Sequence, residues 1–319
     1  MKKICSFLPA ATQMIYDMGL QDHLCGVSFE CPPIALRAKA VVVHCVLGGG
    51  DYSSSEIDKI FSASKCQGRS LYWVDEDLLQ SLAPDIIVTQ DVCEVCQIDS
   101  RCTVAAVAKL QKRPEIISLT PRNLQDVFQT AITIASSLGK EEAAYSYIAR
   151  LQSRLDDITD RIRKFRAPLR RVMIMEWIQP IYNCGHWIPF QAAYAGGVDM
   201  LSNPAGDSVV TPWEKICRYD PEVLVVSPCG FEVQRSMIEI GLLEQYQEWG
   251  ELRAVMDQNV WVADFDLFTQ PSAGTLVEGV ELLAAIFHPE IFEIPVHLQA
   301  KCCAFKKTHA PGLIQAIPK

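Results

Sequence analysis

The stretch Lys140–Phe165, KEEAAYSYIARLQSRLDDITDRIRKF, constrains the fold more than any other part of the chain. Ile148, Leu151, Leu155, Ile158, Ile162 and Phe165 recur at alternating steps of three and four, which puts them on one stripe of a helix. Arg150, Arg154, Asp156, Asp157, Asp160, Arg161 and Arg163 take the other faces, which are expected to be wet. Glu141 and Glu142 open the stretch and Arg163 and Lys164 close it, each on the favourable side of the helix dipole. At 1.5 Å per residue such a helix is roughly 38 Å long, about the width of a domain. A coiled-coil segment is the alternative, but fewer than three heptads support it. The preferred reading is a strut that lies across two lobes and fixes their separation.

On either side of the strut, short apolar runs alternate with helical patterns. Before it come ICSFL, a helix over 10–19, LCGVS, VVV at 41–43, a helix from Ser55, DIIVT, a helix from Thr103, EIISL and a helix over 123–138. After it come RVMIME, a helix from His186 to Ala195, EVLVVS, a helical stretch over 233–246, VWVAD and a helix over 275–287. This alternation is the signature of parallel α/β units. The halves also echo each other: Pro84-Asp85 and Pro221-Glu222 each lead into a short apolar run, Ile86–Val88 and Val223–Val226, and cysteines follow soon after both. The predicted fold is α/β, with two Rossmann-like lobes whose parallel sheets are bridged by one long rigid helix. The expected divisions are residues 1–121, 122–168, 169–288, and a tail of little pattern over 289–319.

Ligands of open parallel sheets sit beyond the carboxyl ends of the strands. The candidates there are Pro9, Glu30 and Cys31 in the first half, with Asp91, Cys93, Glu94 and Cys96 after DIIVT. In the second half they are Trp177, Cys184, His186, Trp187, Cys229, Phe231, Phe265 and Phe268. Facing each other across a cleft, these residues would make an aromatic, thiol-bearing, sparsely charged wall suited to a large, flat, partly apolar ligand. Cys93 and Cys96 form a C-x-x-C pair able to chelate a soft metal, but no second such pair completes a structural zinc site. His186, as a neutral imidazole, could bond a ligand or coordinate its metal. No phosphate-binding, dinucleotide or nucleophile-elbow motif is present.

A net charge of −9 argues against a nucleic-acid partner, and no run is long and apolar enough for a membrane span. Pro9, Gln13 and Asp17 interrupt the apolar start, which reads as strand, turn and helix rather than as a signal peptide. Thirteen scattered cysteines fit a reducing compartment, so the expected location is cytoplasmic.

The segments ICSFLPAATQMIYDMGL, GVSFECPP, LAPDIIVTQDVCEVC, MEWIQPIYNCGHWIPF and DPEVLVVSPCGF resemble the cobalamin-binding, BtuF-like branch of the class III solute-binding proteins, which serve iron-complex and vitamin B12 ABC uptake. The resemblance spans roughly residues 3–288. It implies a binding protein rather than an enzyme, with a corrinoid or related chelate held between the lobes and an ABC permease as a possible partner. Two alternatives stay open. One is a thiol-dependent enzyme acting on a corrinoid or another substrate, with Cys93 or Cys184 as nucleophile. The other is a soft-metal-binding protein that uses the cleft cysteines.

Overall fold

The first strand, Ile4–Ser6, becomes the centre of a six-stranded sheet because the chain winds first to one side of it and then to the other. Leu24–Ser28, Ala40–Cys45 and Tyr72–Val74 build outward on one side, and Ile86–Gln90 then Glu115–Leu119 on the other. All neighbours are parallel except Tyr72–Val74, which runs antiparallel at the edge. The computed structural model describes residues 1–47, 52–66, 70–90 and 100–306.

The second sheet repeats the plan. Arg170–Trp177, Val223–Val226 and Val260–Ala263 are parallel, and buried on both faces, as helix-covered strands must be. The Pro-acid echo has a structural basis. Ala83 and Asp220, each just before its proline, take left-handed conformations (φ 46° and 49°) that end the preceding helices. One residue past each proline, Asp85 accepts a hydrogen bond from the Lys3 amide and Glu222 one from the Arg171 amide, both at 2.8 Å. The same three-residue device thus ties each incoming strand to the start of its neighbour.

The strut is a single helix, Glu141–Phe165, with Lys140 at its N-cap. Leu151, Leu155 and Ile158 are buried as the stripe predicts, together with Ala144 and Tyr147. Phe165 is 60% exposed, because the chain leaves the core one turn earlier than the periodicity implies. The helix packs on Leu124–Ser137 and Ala273–Phe287. The Tyr147 hydroxyl donates to Asp17 at 2.7 Å, reaching the first half of the chain. The Arg154 guanidinium grips Glu281 through two hydrogen bonds of 2.8 and 2.7 Å, reaching the second. Gly274 closes this junction: a Cβ there would stand 2.9 Å from both Asp17 Oδ2 and Tyr147 Oη. One apolar core runs continuously from the first strand through the strut to Ala273–Phe287.

Two further expectations are corrected. The tail carries structure, because Cys302–Ala304 adds an antiparallel strand beside Trp261–Ala263. The helix expected from His186 starts at Ile188, where Pro189 suits the first turn, and His186 sits before it in a short bridge at φ +53°.

Candidate functional site

The carboxyl ends of both sheets face one cavity of about 1800 Å³. Leu8 reaches it from the turn after the first strand and Ala10 and Ala11 from the start of the helix that follows, Phe29 and Glu30 from beyond the second strand, and His44 and Cys45 from the end of the third. Glu176 and Trp177, then Cys229 and Phe231, then Phe265 reach it from the other sheet. The switch point of the first sheet, where Ile4–Ser6 separates the two winding directions, opens directly beneath it.

Of the fifteen sequence candidates, Glu30, Trp177, His186, Trp187, Cys229, Phe231 and Phe265 line this cavity. Pro9 instead begins the buried helix Pro9–Asp17, where a proline suits the first turn, and its neighbours do the lining. Cys31 is buried with its thiol 3.1 Å from Thr12 Oγ1. Cys184 has no exposed surface and its Sγ donates to Asp199 at 3.7 Å, so burial pushes its pKa up and removes it as a nucleophile for a cleft ligand. Phe268 is core, and its carbonyl accepts from the Trp187 indole at 2.6 Å. Asp91, Cys93, Glu94 and Cys96 lie outside the described residues.

The second-sheet wall is built from interlocked rings. Trp177 and Phe231 meet at 5.2 Å between centroids, tilted by 56°. The Arg235 guanidinium lies 3.5 Å over the other contact of that pair, the Phe231 ring. His186 stacks on Trp187 at 5.3 Å. Its left-handed backbone is held by hydrogen bonds on both sides: its amide donates to Gly206 at 2.6 Å, and its carbonyl accepts from Ala205 at 2.9 Å. Gly185 permits this close approach, because a Cβ there would meet the Gly206 carbonyl oxygen at 2.5 Å. Burial lowers the His186 pKa, opposed by Asp207, so the imidazole is neutral and retains a lone pair near pH 7. Among the described residues no three His, Cys, Asp or Glu side chains group to hold a metal ion, which leaves His186 a single donor.

Glu30 is pushed up from 4.5 to about 7 by the protein around it. Its side chain nevertheless faces the open cavity, so the solvent there moderates the shift until something displaces it.

Several cavity residues escaped the sequence reading: His44, Tyr52, Arg235 and Glu239. Arg235 and Glu239 stand four apart on the helix Val233–Glu239, a spacing that reads as an ordinary surface pair. Instead they cross the cleft. Arg235 donates to the Tyr52 carbonyl, and Glu239 accepts from the Ser54 hydroxyl at 2.7 Å and the Ser54 amide at 3.2 Å.

The family model of periplasmic binding proteins matches residues 53–267. A curated relative, the uncharacterized ABC transporter substrate-binding lipoprotein YvrC of Bacillus subtilis, is 24% identical over 303 residues, covering 92% of this chain and 82% of that protein. A periplasmic heme binding protein from Pseudomonas aeruginosa superposes with a TM-score of 0.68 at 17% identity, covering 93% of this chain and 96% of its own. The periplasmic vitamin B12 binding protein BtuF of Vibrio cholerae superposes at 0.59 with 19% identity, covering 90% and 97%. These relatives are binding proteins, not enzymes. The cytoplasmic expectation is overturned: the matching family is periplasmic and the curated relative is a lipoprotein. Scattered thiols were a poor guide to compartment, since burial protects Cys5, Cys31 and Cys184 wherever the chain resides.

Proposed function

Because the chain belongs to the periplasmic binding protein family, it is a solute-binding protein of the ABC-transporter type, and we propose that its cargo is cobalamin or a closely related corrinoid. The observation that carries this reading is the size and lining of the cavity. At about 1800 Å³ it exceeds the several hundred to about 1000 Å³ that small ligands occupy, and suits a macrocycle with bulky substituents. Phe29 and Tyr72 on one wall oppose Trp177, Phe231 and Phe265 on the other, so both faces of a flat ring system meet apolar surface. Burying such a ring between preformed walls supplies affinity without a large closure.

The neutral His186 would face the chelate's metal as an axial donor, and carboxylates such as Glu176 and Asp207 would accept hydrogen bonds from peripheral amides. Delivery would be to a membrane permease, the partner that a substrate-binding protein of the ABC-transporter type implies.

The test is direct. Protein mixed with aquocobalamin and passed over a desalting column is expected to retain it at one equivalent with shifted absorption bands. Cobalamin eluting free of the protein would overturn the proposal.

A further inference from the structure

The cavity wall is more charged than its sequence candidates implied, and nearly all of the charge has one sign. Asp58, Glu176, Asp207, Glu232 and Glu239 line it beside Glu30, which would take up a proton once a ligand covers it, against Arg235 as the one lysine or arginine among the described lining residues. His186 does not redress this, because burial keeps it neutral. Arg235 is itself engaged, stacked on Phe231 and donating to the Tyr52 carbonyl, and Glu239 is engaged by Ser54. The aromatic walls would meet the faces of a flat macrocycle whatever its rim carries, so discrimination between macrocycles would fall to the groups around the rim.

We infer that the acidic wall makes the site selective for chelates whose peripheral groups are neutral amides, and against those whose peripheral groups are carboxylates. This rests on the corrinoid reading above and sharpens it. Amide N–H groups donate to carboxylate oxygens, whereas a rim carboxylate would confront like charges across a cleft that shields them less than bulk water does. Solvent in the cavity leaves the repulsion sensitive to ionic strength.

Two probes share the cobalt corrin ring and differ at the rim: dicyanocobinamide, which carries amides, and dicyanocobyrinic acid, which carries carboxylates. Their binding to the full chain is measured by isothermal titration at pH 8, in low salt and again in 0.5 M NaCl. The amide form is expected to bind at least about tenfold more tightly in low salt, with the gap narrowing in high salt. The combined variant Asp58→Asn, Asp207→Asn, Glu232→Gln is expected to narrow it without added salt. Equal affinities in low salt, or tighter binding of the carboxylate form, would overturn the inference while leaving a corrinoid carrier in place. Binding of neither probe would sink the corrinoid reading and this selectivity with it.

Discussion

Glu239 holds Ser54 from across the cleft, accepting hydrogen bonds from its hydroxyl at 2.7 Å and from its amide at 3.2 Å. Ser54 is the first residue of the helix Ser54–Cys66, so a carboxylate from one half of the molecule satisfies the exposed amide end of a helix in the other. Arg235, one turn earlier on the same helix as Glu239, reaches Tyr52 in parallel. Together they pin the lips of the cavity on the side opposite the bridging helix.

Glu239→Ala should therefore loosen the lips rather than the fold. A charge-assisted hydrogen bond of this kind contributes about 1.5–3 kcal/mol, so bound cobalamin is expected to dissociate on the order of tenfold faster. Stopped-flow displacement would read the rate. An unchanged rate would show that exchange does not pass between these lips.

The bridging helix answers to a different substitution. Leu155 has no exposed surface and belongs to the core shared by both sheets. Leu155→Ala should cost about 2–5 kcal/mol, and a single urea transition should move as a whole. Two separated transitions would mean that the halves fold independently of the shared core.

Gly185→Ala tests the platform beneath His186. Its new methyl would meet backbone atoms of Gly206, Asp207 and Ser208 at 2.5–2.6 Å, with no flexible side chain able to yield. Overpacking of this sort costs about 1–3 kcal/mol, and the displaced His186 should lose any spectral effect on a bound cobalt. Wild-type melting and an unaltered bound spectrum would refute the geometry.

A pH effect follows from Asp264, raised to about 7 by burial first and then by Asp266, whereas Glu30, open to the cavity solvent, contributes little until a ligand covers it. The folded chain therefore holds a proton that the unfolded chain has released, and stability falls as pH climbs from the ordinary carboxylate range to about 7, then levels off. Filling the cavity removes water from Glu30, so ligand binding near neutrality should take up protons. Titration calorimetry in buffers of different ionisation enthalpy would detect the uptake, and Glu30→Gln should abolish most of it.

Local patterns carried the architecture into the sequence. The three-and-four spacing from Ile148 to Ile162 and the two Pro-acid turns report contacts made within a few residues, so they were legible in order. What they could not report was direction. Cys184 and His186 are two apart in the sequence, yet the bridge around Gly185 sends one thiol into the core against Asp199 and leaves the imidazole at the cavity. Arg235 and Glu239 look like a helix-surface pair until their partners, almost two hundred residues away, are seen. The charge in the cleft was missed for the same reason, since its carboxylates come from separate elements far apart in the chain, Asp58 and Glu239 on two helices, Glu176 at a strand end and Asp207 in a loop.

The meeting of Asp17, Tyr147 and Gly274 has a mechanical consequence. There the rear of the molecule is held by a side-chain hydrogen bond packed against a glycine, where an added methyl would push Asp17 and Tyr147 aside, so this contact resists a swing of one sheet against the other. Cargo would enter and leave by an elastic gape at the front, and the shape of the empty receptacle would already be nearly that of the filled one.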